Sequence, residues 1–227
     1  MKSKCFVTGG AGLIGLSVCR ELIQKGYDVH LYDLGEQVAK NYTKIPKKVK
    51  IHIGSILDQY SLSNAMKGSN YVLHLAAMLG VKYTEDNKLD CLEINSTGTK
   101  NVLEAAAHSS VKKVVFASSS EVYGEPDTNP ITEKHTTKGK TIYGVTKIMG
   151  EEYCKSYKQK HNLNYTILRF FNTYGPYQTN KFVITKFINA VVNNKDIIIN
   201  GNGEQKRSYM YVDDAASAIV LACLSKK

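Results

Sequence analysis

Tyr143 and Lys147 stand four residues apart in a stretch whose apolar spacing predicts a helix from about Tyr143 to Gln159, which puts both side chains on one helix face. A phenol near pKa 10 is a poor base at neutral pH, and a neighbouring ammonium favours its phenolate. Ser118, Ser119 and Ser120 follow the apolar run Val114–Ala117, which reads as a strand. A hydroxyl at that strand end could hydrogen-bond a substrate alcohol and relay its proton toward Tyr143, or it could cap a turn. Glu121 adds a carboxylate beside that hydroxyl, able to abstract a carbon-bound proton or to cap the turn that follows.

A second constellation lies near the start of the chain. Gly10-Ala11-Gly12-Leu13-Ile14-Gly15 fits the pattern GxGxxG between an apolar run at Cys5-Phe6-Val7 and a helical pattern running from Leu13 to Ile23. Small residues there let the backbone turn tightly and approach a pyrophosphate, whose charge is met by amides at the helix start. Asp33, 23 residues after Gly10, ends the next predicted strand, where a carboxylate accepts hydrogen bonds from adenosine ribose hydroxyls. It would repel a 2′-phosphate, and Leu34-Gly35-Glu36-Gln37 supplies no arginine to neutralise one. The pattern therefore predicts NAD rather than NADP.

The elements that must position these residues alternate. Strands are predicted at Cys5–Val7, Val29–Tyr32, Val49–Ile53, Tyr71–Leu75, Val114–Ala117 and Tyr165–Leu168, of which the second, third and fourth are apolar enough to be buried on both faces. Helices are predicted at Leu13–Ile23, Leu57–Met66, about Leu89–Ala107 and Tyr143–Gln159. Such alternation gives an α/β fold with a doubly wound parallel sheet, Rossmann-like, and ligands at the C-terminal edge of its strands. Residues 173–181 read as a loop, Phe182–Val192 as a helix, Ile197–Ile199 as a short strand, and Asp213 as the N-cap region of a last helix. Three segments are expected: 1–172 for the dinucleotide, 173–204 as a small and partial substrate-binding region, and 205–227 as a substrate-contact segment with the terminal helix.

Composition narrows the class. With 227 residues, 43% of them hydrophobic, the chain has enough apolar surface for a large core, which excludes a disordered or staple-dependent scaffold. Thirty Lys and Arg against 20 Asp and Glu give +10, which suits an acidic partner. The lysines are spread along the chain without aromatic interleaving, only Lys44, Lys47, Lys48 and Lys50 clustering, so nucleic-acid binding is not expected. Five scattered cysteines without a CxxC pair suggest neither a disulfide framework nor a metal site, and a reducing cytoplasm is expected. No apolar run reaches the length of a membrane span.

Taken in order, Thr8–Gly15, Asp33, Gly54–Asp58, His74-Leu75-Ala76-Ala77, Asn95 with Gly98-Thr99, Ser118–Gly124, Tyr143–Lys147, Arg169–Asn172 with Tyr174-Gly175-Pro176, and Gly203–Arg207 with Tyr211–Asp214 resemble the extended short-chain dehydrogenase/reductase family, specifically its NAD-dependent nucleotide-sugar epimerases and dehydratases. The resemblance implies that Gly9, Gly12, Leu13, Ile14 and Gly15 line the pyrophosphate turn, that Asp33 binds the adenosine ribose, and that Ile56 and Asp58 lie near adenine. It implies that Ala76 and Ala77 pass beside the cofactor, that Tyr143 and Lys147 are the catalytic pair, and that Ser119 is the catalytic serine; from its place beside Tyr143, Lys147 could also hold the nicotinamide ribose. Asn172 and Arg207 match positions that contact the diphosphate of a nucleotide-sugar substrate. The implied chemistry is transient oxidation of a sugar hydroxyl by tightly held NAD, followed by return of hydride.

The outcome after oxidation stays open. Family dehydratases carry Thr-Asp-Glu where this chain has Ser119-Ser120-Glu121, and Ser120 is a poor general acid. A glutamate without the aspartate resembles the UDP-glucuronate decarboxylases, while 4-epimerases need neither acid. A UDP-sugar 4-epimerase is the favoured reading, with 4,6-dehydratase or decarboxylase using Glu121 as alternatives, and a non-catalytic NAD-binding regulator as the alternative of another class. Relatives continue past the helix that holds Asp213 and Asp214 to finish the substrate region, and they pair as homodimers through helices that here fall near 89–107 and 143–159.

Overall fold

The structure is a computed structural model that describes residues 2–180, 182–199 and 201–225. Six parallel strands, β1 (Lys4–Thr8), β2 (Asp28–Asp33), β3 (Lys50–Ile53), β4 (Tyr71–His74), β5 (Lys113–Ser119) and β6 (Tyr165–Phe170), form one sheet in the order β3-β2-β1-β4-β5-β6. The order reverses between β1 and β4, and the C-terminal ends of the strands around such a reversal open a crevice.

Alternation within the strands builds two core layers. Cys5, Val7, Val29, Leu31, Leu73 and Val115 face one side, where α1 (Leu13–Gln24) and α9 (Val212–Leu224) cover them. Phe6, Tyr32, Val72, Val114 and Phe116 face the other, under α3 (Gln59–Met66), α6 (Gly98–His108) and α7 (Ile142–His161). Each fully buried large apolar side chain contributes about 1.5–3 kcal/mol, so these layers fix the positions of the strand ends. The edge strand β3 departs from the expectation of double burial: Lys50 and Ile53 are exposed, because no strand lies beyond it.

Five further differences concern local structure. The helix expected over Leu89–Ala107 is interrupted: α5 (Lys88–Leu92) and α6 are joined by a π turn at Glu93–Thr97. Short helices α2 (Gly35–Asn41) and α4 (Val81–Asp86) were not marked by a long apolar period. Beyond the sheet, β7 (Asn172–Tyr174) pairs in parallel with β8 (Tyr209–Tyr211), enclosing α8 (Val183–Val192). Ile197–Ile199, expected as a strand, has no ladder partner among the described residues and is exposed, Ile198 to 80%. The last helix starts at Val212 with Tyr211 at its cap, which leaves Asp213 and Asp214 in the first turn, where the helix dipole favours them. That helix crosses back to bury Ala216, Ile219, Val220 and Cys223 against α1, in the same core as the first strands.

Candidate active site

β1 ends at Thr8 and α1 begins at Leu13, so the glycines occupy a four-residue turn at the C-terminal edge of the sheet. Gly9 has φ +69°, and a Cβ there would lie 2.6 Å from the amide nitrogen of Ala76. Gly15 is constrained by contact: its Cβ would sit 2.3 Å from the Gly9 carbonyl oxygen. The turn therefore packs tightly against both its own helix and the Leu75–Ala76 backbone, which only hydrogen side chains permit. Gly12 caps α1 without a side-chain acceptor, and the first turn, Leu13, Ile14 and Gly15, carries no acid, which leaves the helix start favourable to an anion.

Asp33 closes β2 beside this turn. Its Oδ2 accepts from the Ala11 amide at 2.9 Å and its Oδ1 from the Leu34 amide at 2.8 Å. Burial pushes the carboxyl up while those two amides pull it down. Ile56 is buried, and Asp58 caps α3 by accepting from the amide and hydroxyl of Ser61, which hold its carboxyl below the usual range. The backbone turn, the acid at the end of β2 and the unobstructed helix start together fit a dinucleotide, and the Cβ clearances are the observation on which that fit rests.

Tyr143 and Lys147 share one face of α7, as expected. Lys147 is 4% exposed; its Nζ donates to the Ala117 carbonyl at 2.7 Å and lies 5.6 Å from the centre of the Tyr143 ring. Burial brings this ammonium down to about 8. The ammonium by itself does not lower the Tyr143 phenol, whose expected shift rests on Lys147 together with a positive nicotinamide. Burial pushes that phenol up, hydrogen bonding by Ser119 lowers it, and Glu121 raises it further. The lysine's charge is committed to a carbonyl instead.

The structure separates the three serines. Ser118 is buried and donates to Glu151 Oε1 at 2.5 Å, which removes it from the cleft. Ser119 stands beside the Tyr143 phenol and caps the short turn Ser120–Tyr123 by accepting from the Glu121 amide at 3.2 Å. Glu121, half-buried, meets the Thr141 hydroxyl at 3.4 Å. Ser119, Glu121, Tyr143 and Lys147 thus converge where β5 meets α7.

Asn172 and Arg207 are brought near one another but not into that cluster. The Asn172 amide donates to the Ser208 carbonyl at 3.1 Å, and Arg207, next in the chain, is exposed with its guanidinium on the Lys206 carbonyl.

Sequence reasoning missed Glu151 and gave Arg169 no separate role. Arg169 holds the Glu151 carboxylate in two hydrogen bonds of 2.8 and 2.7 Å and reaches the Tyr123 hydroxyl at 3.0 Å. The signal was available, since Glu151 follows Lys147 by one more helical turn and is an acid on an otherwise buried face. Asn95, in the π turn, was likewise only a motif letter. It accepts from the Met78 amide at 2.7 Å and donates to the Met78 carbonyl at 2.9 Å. Surface depressions of about 460 Å³ by Tyr27 and Asp28 and about 390 Å³ between α3 and α6 lie away from all these groups. The cluster of Ser119, Glu121, Tyr143 and Lys147 lies at the C-terminal edge of the sheet, at the end of β5.

The profile of the NAD dependent epimerase/dehydratase family matches residues 5–227. The chain is 37% identical to a UDP-N-acetyl-alpha-D-glucosaminuronate decarboxylase of Bacillus cytotoxicus, over 98% of this chain and 71% of that protein. Among solved structures, a UDP-N-acetylglucosamine 4-epimerase from Methanobrevibacter ruminantium M1 in complex with UDP-N-acetylmuramic acid superposes with TM-score 0.93 at 32% identity, covering 100% of this chain and 75% of that one. A Thermus thermophilus UDP-glucose 4-epimerase in complex with NAD gives TM-score 0.89 at 30% identity, covering 99% and 75%.

Proposed function

The chain belongs to the NAD dependent epimerase/dehydratase family, and from that premise we propose that it is a nucleotide-sugar epimerase of the UDP-sugar 4-epimerase kind, with Tyr143 as its base. The convergence of Ser119, Tyr143 and Lys147 at the strand edge that also carries the glycine turn supports this reading most. NAD supplies the hydride acceptor and donor. Gly9, Gly12, Leu13, Ile14 and Gly15 receive its pyrophosphate, Asp33 its adenosine ribose, Ile56 and Asp58 its adenine side, and Ala76 and Ala77 its flank. Lys147 holds the nicotinamide ribose.

Ser119 orients the sugar hydroxyl, and Tyr143 takes that hydroxyl's proton and later returns it. Asn172 and Arg207 contact the substrate diphosphate, the hydrogen bond from Asn172 to Ser208 keeping the Arg207 loop at the cleft. Protomers pair as a homodimer through α5, α6 and α7. Five free, buried thiols support a reducing cytoplasm as its location, and among the described residues no helix is long and apolar enough to cross a membrane.

Glu121 supports a second reading. It is half-buried beside the Tyr143 phenol, where a carboxylate could serve elimination or decarboxylation of the ketosugar, and one relative is named a decarboxylase. Incubation with UDP-, dTDP-, GDP- and CDP-sugars in the presence of NAD, followed by NMR of the products, separates the outcomes. An epimerised sugar that still forms with Glu121→Gln supports the first reading. A 4-keto-6-deoxy product or carbon dioxide lost with that change moves the assignment to the second, and a silent panel favours a non-catalytic NAD-binding protein.

A further inference from the structure

His74 ends β4, 1% exposed, and the apolar core surrounds its ring, with Phe116 at 5.7 Å between ring centres. Both ring nitrogens are nevertheless engaged. Nδ1 is 2.7 Å from Thr8 Oγ1, and Nε2 is 3.0 Å from Thr99 Oγ1. What those hydroxyls do next fixes the direction of every proton. Thr99 Oγ1 also lies 2.6 Å from the Asn95 carbonyl, which only accepts, so the Thr99 proton goes there and Thr99 must accept from Nε2–H. Thr8 Oγ1 lies 3.4 Å from the Ala76 amide, which only donates, so the Thr8 proton is left for Nδ1.

One continuous chain results: Ala76 amide to Thr8 hydroxyl to imidazole to Thr99 hydroxyl to Asn95 carbonyl. It closes on the same loop it began from, because the Asn95 side chain grips both the amide and the carbonyl of Met78. Asn95 also donates to Thr146 Oγ1 at 3.3 Å, and Thr146 donates to the Tyr143 carbonyl at 2.8 Å. Thr8, His74, Asn95, Thr99 and Thr146 are all buried, where an unmade hydrogen bond is expensive. The loop clamped at residues 76 and 78 is the one that meets Gly9, whose absent Cβ leaves room for the Ala76 backbone.

We propose that His74 is a positioning residue, a neutral imidazole protonated on Nε2, whose hydrogen-bond chain sets the Ala76–Met78 loop against the glycine turn and ties both to the Tyr143 helix. An imidazolium would turn Nδ1 into a second donor toward Thr8, leaving the Thr8 proton without an acceptor in the chain. The inference rests on the NAD reading only for the consequence it draws, that the loop's register governs cofactor affinity.

Two measurements test it. In the ¹⁵N-labelled chain at pH 7, long-range proton–nitrogen correlation, with His74 assigned by the signal missing from His74→Phe, shows a protonated Nε2 and a bare Nδ1. The opposite tautomer or an imidazolium overturns the chain. In the second, His74→Phe and Thr99→Val each weaken NAD binding by about five- to tenfold with unchanged near-UV circular dichroism. The double variant is no weaker than His74→Phe alone, because both act through one chain, and losses that multiply overturn it. Should His74→Phe fail to fold, Thr8→Val takes its place in the cycle, and His74 is assigned as the imidazole whose Nδ1 signal shifts in that variant. Failure of the unaltered chain to bind NAD would instead sink the cofactor reading, and the tautomer result is independent of it.

Discussion

Replacing Lys147 by Met should remove turnover and, at neutral pH, relieve the fold of a buried charge. Lys147 is 4% exposed, and burial brings its ammonium from the ordinary 10.5 down to about 8. Below pH 8 the folded chain carries the whole cost of keeping that charge in the core, about 3 kcal/mol at pH 7. Between pH 8 and 10.5 the unfolded chain keeps a proton that the folded chain has lost, so unfolding takes up protons and the stability of the unaltered protein rises with pH. At pH 10 the remaining cost is under about 1 kcal/mol.

Met has similar length and no charge, and its substitution also removes the hydrogen bond to the Ala117 carbonyl, a loss of about 1–3 kcal/mol that does not depend on pH. The quantity to compare is therefore the difference between variant and unaltered chain at two pH values, from which the constant loss cancels. Urea unfolding at pH 7 and pH 10 should show the relative stability of Lys147→Met falling by about 2–3 kcal/mol on going to the higher pH. A difference that stays flat, or that moves the other way, would refute the assignment of a charged, strained lysine at this position.

Tyr143→Phe should leave NAD binding within about twofold and lower kcat by at least about a thousandfold, measured on whichever nucleotide sugar the product screen identifies. Asp33→Ala combined with Leu34→Arg removes a carboxylate and places a cation beside the ribose position, so the ratio of NAD to NADP affinity should fall by about a hundredfold in a binding titration; an unchanged ratio removes Asp33 from the ribose site. Arg169→Met strands the buried Glu151 carboxylate and should cost about 3–5 kcal/mol in urea unfolding, most of it recovered by the additional change Glu151→Met. In that double variant Ser118 loses its acceptor, and a reduced kcat is expected to persist although stability returns.

The sheet was legible because its strands are short apolar runs spaced by helical patterns, and the glycine turn because only glycine meets its contacts. Gly9 illustrates the limit of a pattern. The spacing GxGxxG is satisfied by Gly10, whereas the glycine with positive φ pressed against Ala76 is Gly9, a distinction made by a tertiary neighbour 67 positions away in the sequence. Ser118 and Ser119 are equally undecidable as letters, and what decides them is alternation along β5, which sends one hydroxyl to Glu151 and the other to Tyr143. The isoleucines at 197–199 carry high strand propensity but find no partner strand among the described residues, and propensity without a ladder makes no strand. Asn95 and His74 escaped notice as chemistry because their partners come from four separate segments.

Three titratable residues at successive turns of α7 end in three different electrostatic states. Glu151 is held ionised, below the usual carboxylate range, because Arg169 and Ser118 outweigh its burial. Its charge is thereby spent on the guanidinium, and Lys147, one turn away, receives no carboxylate to stabilise its ammonium, which is why burial dominates there. Tyr143, a turn further, faces the negative Glu121, with the Lys147 Nζ drawn off to the Ala117 carbonyl. The chain alone thus holds the Tyr143 proton in place. Release becomes favourable when positive charge is added to the cleft, and an oxidised nicotinamide is positive whereas a reduced one is neutral. On the proposed reading, an oxidised nicotinamide in the cleft would raise the phenolate population of Tyr143, and its reduction to the neutral form would raise that phenolate's affinity for a proton, which would couple proton transfer to hydride transfer.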